Sequence, residues 1–372
     1  MKNILFIVPS LRRAGAETQI IDLVNHLDEN KFNLHLLSFS PIQDQLDRID
    51  TTKVTYHHVL RKHKFHLGFI SEIRKVISEN KIDLIHCTLQ FSLLIGWLAS
   101  LFSSRKPAFI DVMHTTVNRG KKEDMQDFFI YQWLMRKCKE IIFVCNNQRL
   151  YWEGKFPFIE KKSSVIYNGV DEAFFCPEDW VESGRALRES LNIPKSSCVL
   201  ACIAGFRKEK GHHFLIEALS QSPQSIHLLL AGDGELKTTI VEMVAKKGLT
   251  ERVHFLGMLN EVRPVISAAN ATVLTSTAVE TFSIAMLESM SMATPMIASN
   301  IGGMAEAIDK NTGWLLEPAD VTRLSEIMST IVLNPELAVT AGEHAREKVI
   351  ELFSMSSMAT QTESILEDIL KS

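Results

Sequence analysis

At 372 residues the chain exceeds one ordinary hydrophobic core and predicts two domains, each able to bury a sizeable interior. Hydrophobic residues make up 46% and charged residues 23%, with a formal net charge of -4, which excludes a disordered chain and a protein that coats nucleic acid. Cysteines at 87, 138, 145, 176, 198 and 202 form no CxxC and no pairing framework, so they read as small buried hydrophobes of a reducing cytoplasm.

Asn3 to Val8 is a continuous apolar run ending in Pro9-Ser10, which predicts a central parallel strand handing over to a loop. That run is too short for a signal-peptide core, and Leu93 to Phe102 falls far below the roughly 20 residues of a bilayer span. Any membrane contact is expected to be peripheral. The loop Leu11 to Glu17 holds one glycine, Gly15, and leads into a helical stripe of Ile20, Ile21, Leu23, Val24 and Leu27. A dinucleotide fingerprint needs Gly-x-Gly-x-x-Gly at this place, so hydride transfer is poorly supported.

Further strands are predicted at Phe32 to Phe39, Val54 to Val59, Asp83 to Cys87, Ala108 to Met113 and Ile141 to Cys145, with a helix near Ile70 to Glu79. Strands alternating with helices imply a parallel sheet covered on both faces. His86 and the triplet His114-Thr115-Thr116 fall at strand carboxyl ends, the edge that lines the ligand crevice of such sheets. Asn168-Gly169 predicts a tight turn through positive φ. Two local basic stretches, Arg61 to Lys64 and Arg119 to Lys122, read as solvated loops, or else as contacts for a phosphorylated or lipid-linked acceptor or an anionic membrane.

From Glu172 to Ser197 strand character is lost, and Cys198 to Ala204 opens a second strand series. It runs into Gly205-Phe206-Arg207-Lys208-Glu209-Lys210-Gly211, a loop whose Arg and Lys could cup a diphosphate. His227 to Ala231, Val253 to Gly257 and Ala271 to Leu274 continue the series. After the last comes Glu280-Thr281-Phe282-Ser283-Ile284-Ala285-Met286-Leu287-Glu288. A helix spanning both acids would put them near one face, about 12 Å apart. That spacing suits two ends of one elongated ligand and not a carboxylate pair working on one bond, where separations run from roughly 5 to 9.5 Å. The backbone N–H groups of Thr281 to Ile284 would lie at the helix start, where donors lack partners and the dipole favours an anion. Acid, anion site and second acid read as sugar, phosphate and ribose.

This stretch resembles the GT4-type retaining glycosyltransferases of the GT-B fold. The likeness rests on the two glutamates with seven residues between them, followed by Thr294-Pro295 and Gly302-Gly303. The family's common Gly-Phe-Gly is Thr281-Phe282-Ser283 here. The resemblance implies two Rossmann-like domains with parallel sheets facing across a cleft. It implies catalytic roles for His114 and Glu280, with Gly15, Arg207, Lys210, Glu280, Phe282, Ser283 and Glu288 binding the donor. Lys210 is the firmer of the two cations, because aligning on Lys210-Gly211 puts Gly205 where the family has its arginine.

The domains expected are 1–172 on the acceptor side, a linker at 173–197, a nucleotide-sugar domain at 198–352, and a terminal helix at 353–372 crossing back to the first. The reaction implied is retaining transfer from a nucleotide diphosphate sugar, a UDP-sugar being favoured, to a sugar, lipid-linked or small-molecule acceptor in polysaccharide or glycolipid biosynthesis. Such an enzyme would be cytoplasmic or peripheral on the inner face of the membrane. Neither a cofactor nor a metal is implied, since cations already meet the phosphates. A nucleotide-sugar epimerase on the same architecture and a catalytically silent partner subunit are the alternatives.

Overall fold

Apolar runs of four to seven residues become strands here because helix-bearing connections carry the chain back to the same edge each time, which makes every pairing parallel. The computed structural model describes residues 1–63, 66–116 and 121–371. Lys64 and Arg119-Gly120 of the basic stretches lie outside the described residues. The chain divides into two units, Met1–Gly169 with Met355–Ser372, and Val170–Ser354.

The first unit holds β1 (Lys2–Val8), β2 (Phe32–Ser38), β3 (Val54–His58), β4 (Leu84–Thr88), β5 (Ala108–Met113), β6 (Glu140–Phe143) and β7 (Ser163–Val165). They stand in the order β3-β2-β1-β4-β5-β6-β7. The second holds β8 (Cys198–Ile203), β9 (Ile226–Ala231), β10 (Val253–Gly257), β11 (Ala271–Leu274), β12 (Met296–Ser299) and β13 (Gly313–Leu316), ordered β10-β9-β8-β11-β12-β13. Both sheets therefore reverse direction once, between β1 and β4 and between β8 and β11. In such doubly wound sheets the crevice opens at that point, beyond the strand carboxyl ends.

Burial follows the strand and helix periods. Leu5, Ile7, Ile85 and Phe109 share a core with Phe69, Ile73 and Ile77, spaced four apart on the helix Gly68–Glu79. In the second unit Leu200, Cys202, Leu228 and Leu230 pack with Leu215, Leu219 and Ile327. Stretch 173–197 contains the helix Val181–Ser190, anchored by Arg188, whose guanidinium donates to Ala268 O at 2.6 Å and to Asn270 Oδ1 at 2.9 Å. Among the described residues no helix is long and apolar enough to cross a membrane.

Two local expectations are corrected. The terminal helix begins at Met355 and not at Phe353, because Phe353 ends the preceding helix, Pro335–Leu352, by donating its N–H to Val349 O at 2.8 Å. Asn168-Gly169 makes no positive-φ turn. Instead Gln19 reads Gly169 on both sides, its amide donating to the carbonyl at 2.8 Å and accepting from the N–H at 2.9 Å. A side chain here does the pairing a strand neighbour would do, so the segment stays extended.

Among the described residues no disulfide links any of the six cysteines, and five of them are buried. Cys87 and Cys138 sit in the first core beside an unexpected neighbour, Asp111 of β5. Strand alternation puts Asp111 on the same face as Phe109 and Met113. Its side chain is fully buried and, among the described residues, neither carboxyl oxygen has a hydrogen-bond partner. Burial pushes its pKa up to about 7, from an ordinary 3.8. Between those values the folded chain holds a proton that the unfolded chain releases, so stability falls as pH rises through that window. Asp111→Asn removes this dependence. From pH 4.5 to 7.5 the unfolding free energy of the wild type should drop relative to Asp111→Asn by about 2–4 kcal/mol, measured by urea denaturation. Parallel curves for the two proteins would mean that Asp111 ionises normally in the fold.

Candidate active site

The carboxyl edge of the second sheet brings together loops that lie far apart in sequence. After β8 the chain turns through Gly205 to Gly211, and after β11 it passes Thr275-Ser276-Thr277 to reach Glu280. The two loops are laced by backbone-directed bonds. Thr275 Oγ1 donates to Lys210 O at 3.2 Å or Gly211 O at 3.1 Å, and the Thr277 N–H donates to Glu209 O at 2.8 Å. Gly211 has φ 66, and a Cβ there would collide with the Thr275 carbonyl oxygen. No other residue type allows the loops this approach.

A third loop closes from β12. Gly302, at φ 59, lies against the Glu280 carbonyl so closely that a Cβ would overlap it, and the Gly303 N–H donates to Thr281 O at 2.6 Å. Just before Glu280, Val279 takes φ 59, a strained conformation for a β-branched residue. Glu280 is thus gripped on both sides of its peptide.

The consequence is an ion pair between Lys210 Nζ and Glu280 Oε1, with side chains 18% and 8% exposed. Ser276 Oγ donates to the same carboxylate oxygen at 2.8 Å. An ammonium has three donors, so this pairing leaves two that can turn to a ligand. Arg207 stands apart, with its side chain 50% exposed and 3.7 Å from Glu209. An exposed pair of that length contributes little and is easily exchanged for a better anion.

The helix after Glu280 spans Ile284–Ser291, so a single helix carrying both acids is corrected: Glu280 belongs to the loop and Glu288 to the helix. Ser283 is the N-cap, its hydroxyl accepting the Met286 N–H at 3.4 Å. The helix N-terminus therefore falls at Ile284, three residues later than the spacing argument placed it. Phe282 is buried, its ring 5.3 Å from that of Phe353, so its side chain holds the loop down. Glu288 is half-buried on the helix.

Gly15 and His114 belong to the first unit. Gly15 is the first residue of the helix Gly15–His26, and His114 follows β5 directly. Burial pushes the His114 pKa down to about 4, and burial together with His114 pushes His86 down to about 3. Both rings are neutral at pH 7. A neutral imidazole can donate or accept a hydrogen bond near a developing positive charge without repelling it.

Sequence reasoning missed Ser276 and Thr275. Their signal was a polar Thr-Ser-Thr run directly after an apolar strand, where a parallel sheet presents its ligand edge.

With that geometry in place, residues 184–348 match the family described as glycosyl transferases group 1, and residues 13–174 match glycosyltransferase family 4. Among curated proteins, N-acetyl-alpha-D-glucosaminyl L-malate synthase of Bacillus anthracis is 30% identical over 322 residues, covering 86% of this chain and 83% of that protein. The O-antigen biosynthesis glycosyltransferase WclY of Escherichia coli is 22% identical over 385 residues, 99% of each. Among solved structures, Anabaena Alr3699/HepE in complex with UDP and glucose superposes with a TM-score of 0.86 at 21% identity, covering 99% of this chain and 100% of that one.

Removing the cation from the Lys210–Glu280 pair strands a buried carboxylate, whereas removing both charges does not. Lys210→Met should lower the unfolding free energy by about 3 kcal/mol, and adding Glu280→Gln should restore most of it. Chemical denaturation of the two variants checks this. Additive losses would show that the pair is not coupled.

Proposed function

Because the chain belongs to the group 1 glycosyl transferases, with a first half of glycosyltransferase family 4, we propose that it moves a sugar from a UDP-sugar to an acceptor hydroxyl with retention at the anomeric carbon. The observation that carries the reading is the Lys210–Glu280 pair, set where the second sheet reverses and followed two turns later by Glu288. The solved relative bound to UDP and glucose supports the choice of base. The curated relatives named for malate and O-antigen synthesis support a role in building small glycosides or surface polysaccharides.

In the reaction, charge builds on the departing diphosphate and on an oxocarbenium-like sugar. Lys210 keeps two donors for the phosphates, and Arg207 exchanges Glu209 for them. Glu280, fixed by Lys210 and Ser276, faces the sugar, and Glu288 accepts from the ribose. His114, neutral at working pH, positions the sugar as a hydrogen-bond partner. The acceptor proton passes to the leaving phosphate oxygen on the same face, which gives retention without a covalent enzyme intermediate. No separate carboxylate base is then required.

The same reading includes a peripheral contact with an anionic bilayer. Phe128, Phe129 and Trp133 are exposed, Lys137 Nζ lies 5.4 Å from the Trp133 ring, and the neighbouring Arg136 guanidinium sits 3.9 Å over Phe158. Interfacial aromatics beside cations suit a surface of negative headgroups.

At about 100 times its dissociation constant, UDP should stabilise the protein by about 2.7 kcal/mol, and Glu288→Ala should abolish the shift. Glu280→Gln should keep UDP binding and lose about 10²–10³-fold in kcat, with the product anomer read by NMR. Full turnover in Glu280→Gln would remove that carboxylate from the chemistry, and an inverted anomer would remove retention. Phosphatidylglycerol vesicles should co-sediment the protein, and the double variant Phe129→Ser/Lys137→Glu should stay in the supernatant. Equal sedimentation of the two proteins would locate any membrane contact elsewhere.

A further inference from the structure

The first unit carries a pocket of its own. From β1 the chain runs out to β2 and β3 on one side, then returns to β4 on the other, so the connections leaving β1 and β4 diverge. Beyond those two carboxyl ends lies an open pocket of about 560 Å³, with Ser10 following β1 and Leu89 following β4 in its wall. This is the place where a doubly wound sheet takes its ligand. Leu89 holds φ 70, a left-handed conformation that leucine adopts only under constraint, at the start of the helix Gln90–Leu101.

Guanidinium groups outnumber carboxylates in the described lining of this pocket. Arg12, Arg61 and His63 line it, and Glu17 is the sole acid. Glu17 is buried, accepts a hydrogen bond from Ser10 Oγ at 2.9 Å, and has its pKa raised chiefly by burial. Arg61 is also held in place. Its guanidinium carbon lies 5.1 Å from the centre of the Phe91 ring and 5.7 Å from that of Phe69, and its backbone N–H donates to Phe39 O at 2.8 Å. An arginine stacked on aromatic faces presents its N–H edge in a fixed direction, the arrangement that suits a planar or tetrahedral oxyanion.

We infer that this pocket binds the acceptor, and that the acceptor carries a carboxylate or phosphate held by Arg61 and Arg12. The word acceptor rests on the transferase reading; the anion site does not. Carboxylate and phosphate share the chemistry that two guanidinium groups recognise, and the probes separate them.

The test titrates the full-length protein with L-malate, sn-glycerol 3-phosphate and, as neutral control, glycerol, by calorimetry with and without UDP. One of the two anions should bind and glycerol should not. Arg61→Gln and Arg12→Gln should each weaken that binding at least tenfold, Arg61→Lys should weaken it less, and the UDP response should be unchanged in all three. Should Arg61→Gln not fold, Arg12→Gln carries the test, since Arg12 is exposed. Binding that survives both glutamine substitutions, or no response to either anion in protein that still binds UDP, would overturn the inference. An anion response without any UDP response would leave the pocket standing and overturn the donor reading instead.

Discussion

The close approach of two backbones at Gly211 and Thr275 is the constraint on which the second unit's site depends. The lysine and the glutamate come from loops 70 residues apart; Lys210 ends a single 3-10 turn, Lys208–Lys210, and Glu280 lies outside any helix or strand. What holds them is contact too tight for a Cβ at Gly211, fixed by the Thr275 hydroxyl on the carbonyl side and the Thr277 N–H on Glu209. A residue with a side chain at 211 would push the loops apart and take Lys210 with it. The ion pair follows from the backbone packing and does not create it, because a buried pair barely offsets its own desolvation.

Both units use the same topological device for different chemistry. Reversal between β8 and β11 sets Lys210 against Glu280, and reversal between β1 and β4 sets Arg12 and Arg61 around an open pocket. In each case a cation follows the strand at the reversal and a buried acid stands in the same site, Glu280 paired with Lys210 in one and Glu17 accepting from Ser10 in the other. Desolvation works elsewhere in the first unit too. It holds His114 and His86 neutral at pH 7 and pushes the Asp111 pKa up to about 7 in a core where, among the described residues, its carboxyl has no hydrogen-bond partner.

Much of this was legible from the chain alone, for physical reasons. Continuous apolar runs such as Asn3 to Val8 and Ala271 to Leu274 mark strands buried on both faces, and their spacing requires crossover helices, so the layered α/β architecture follows. The resemblance carried by Glu280, Glu288 and Gly302-Gly303 led to the right family. Periodicity was less able to place an irregular loop. A spacing of eight positions between two acids fits a helix, yet Val279 at positive φ and Ser283 as N-cap leave Glu280 outside it, and neither feature has a period to read. Asn168-Gly169 misled in the opposite way, since a turn-forming pair was kept extended by Gln19, 150 residues distant. Asp111 reads as a polar interruption of a strand, and only three-dimensional packing shows that no partner reaches it.

The departure at Thr281-Phe282-Ser283 is where sequence and structure instruct each other most. Glycines are expected beside the first acid because the backbone there must approach other groups closely. In this chain a close approach is made from the opposite side: Gly302, part of the shared pattern, is pressed against the Glu280 carbonyl, and Gly303 donates to Thr281. Thr281 and Ser283 stand in place of the glycines and Phe282 is kept, and the side chains of the triplet do other work. Ser283 satisfies the Met286 N–H, and Phe282 buries its ring against Phe353. A loop that glycine would leave mobile is thereby pinned at both ends. Since ordering a backbone residue costs about 1–2 kcal/mol, a loop pinned in this way has met that cost in folding, and packing alone holds Glu280 in one place.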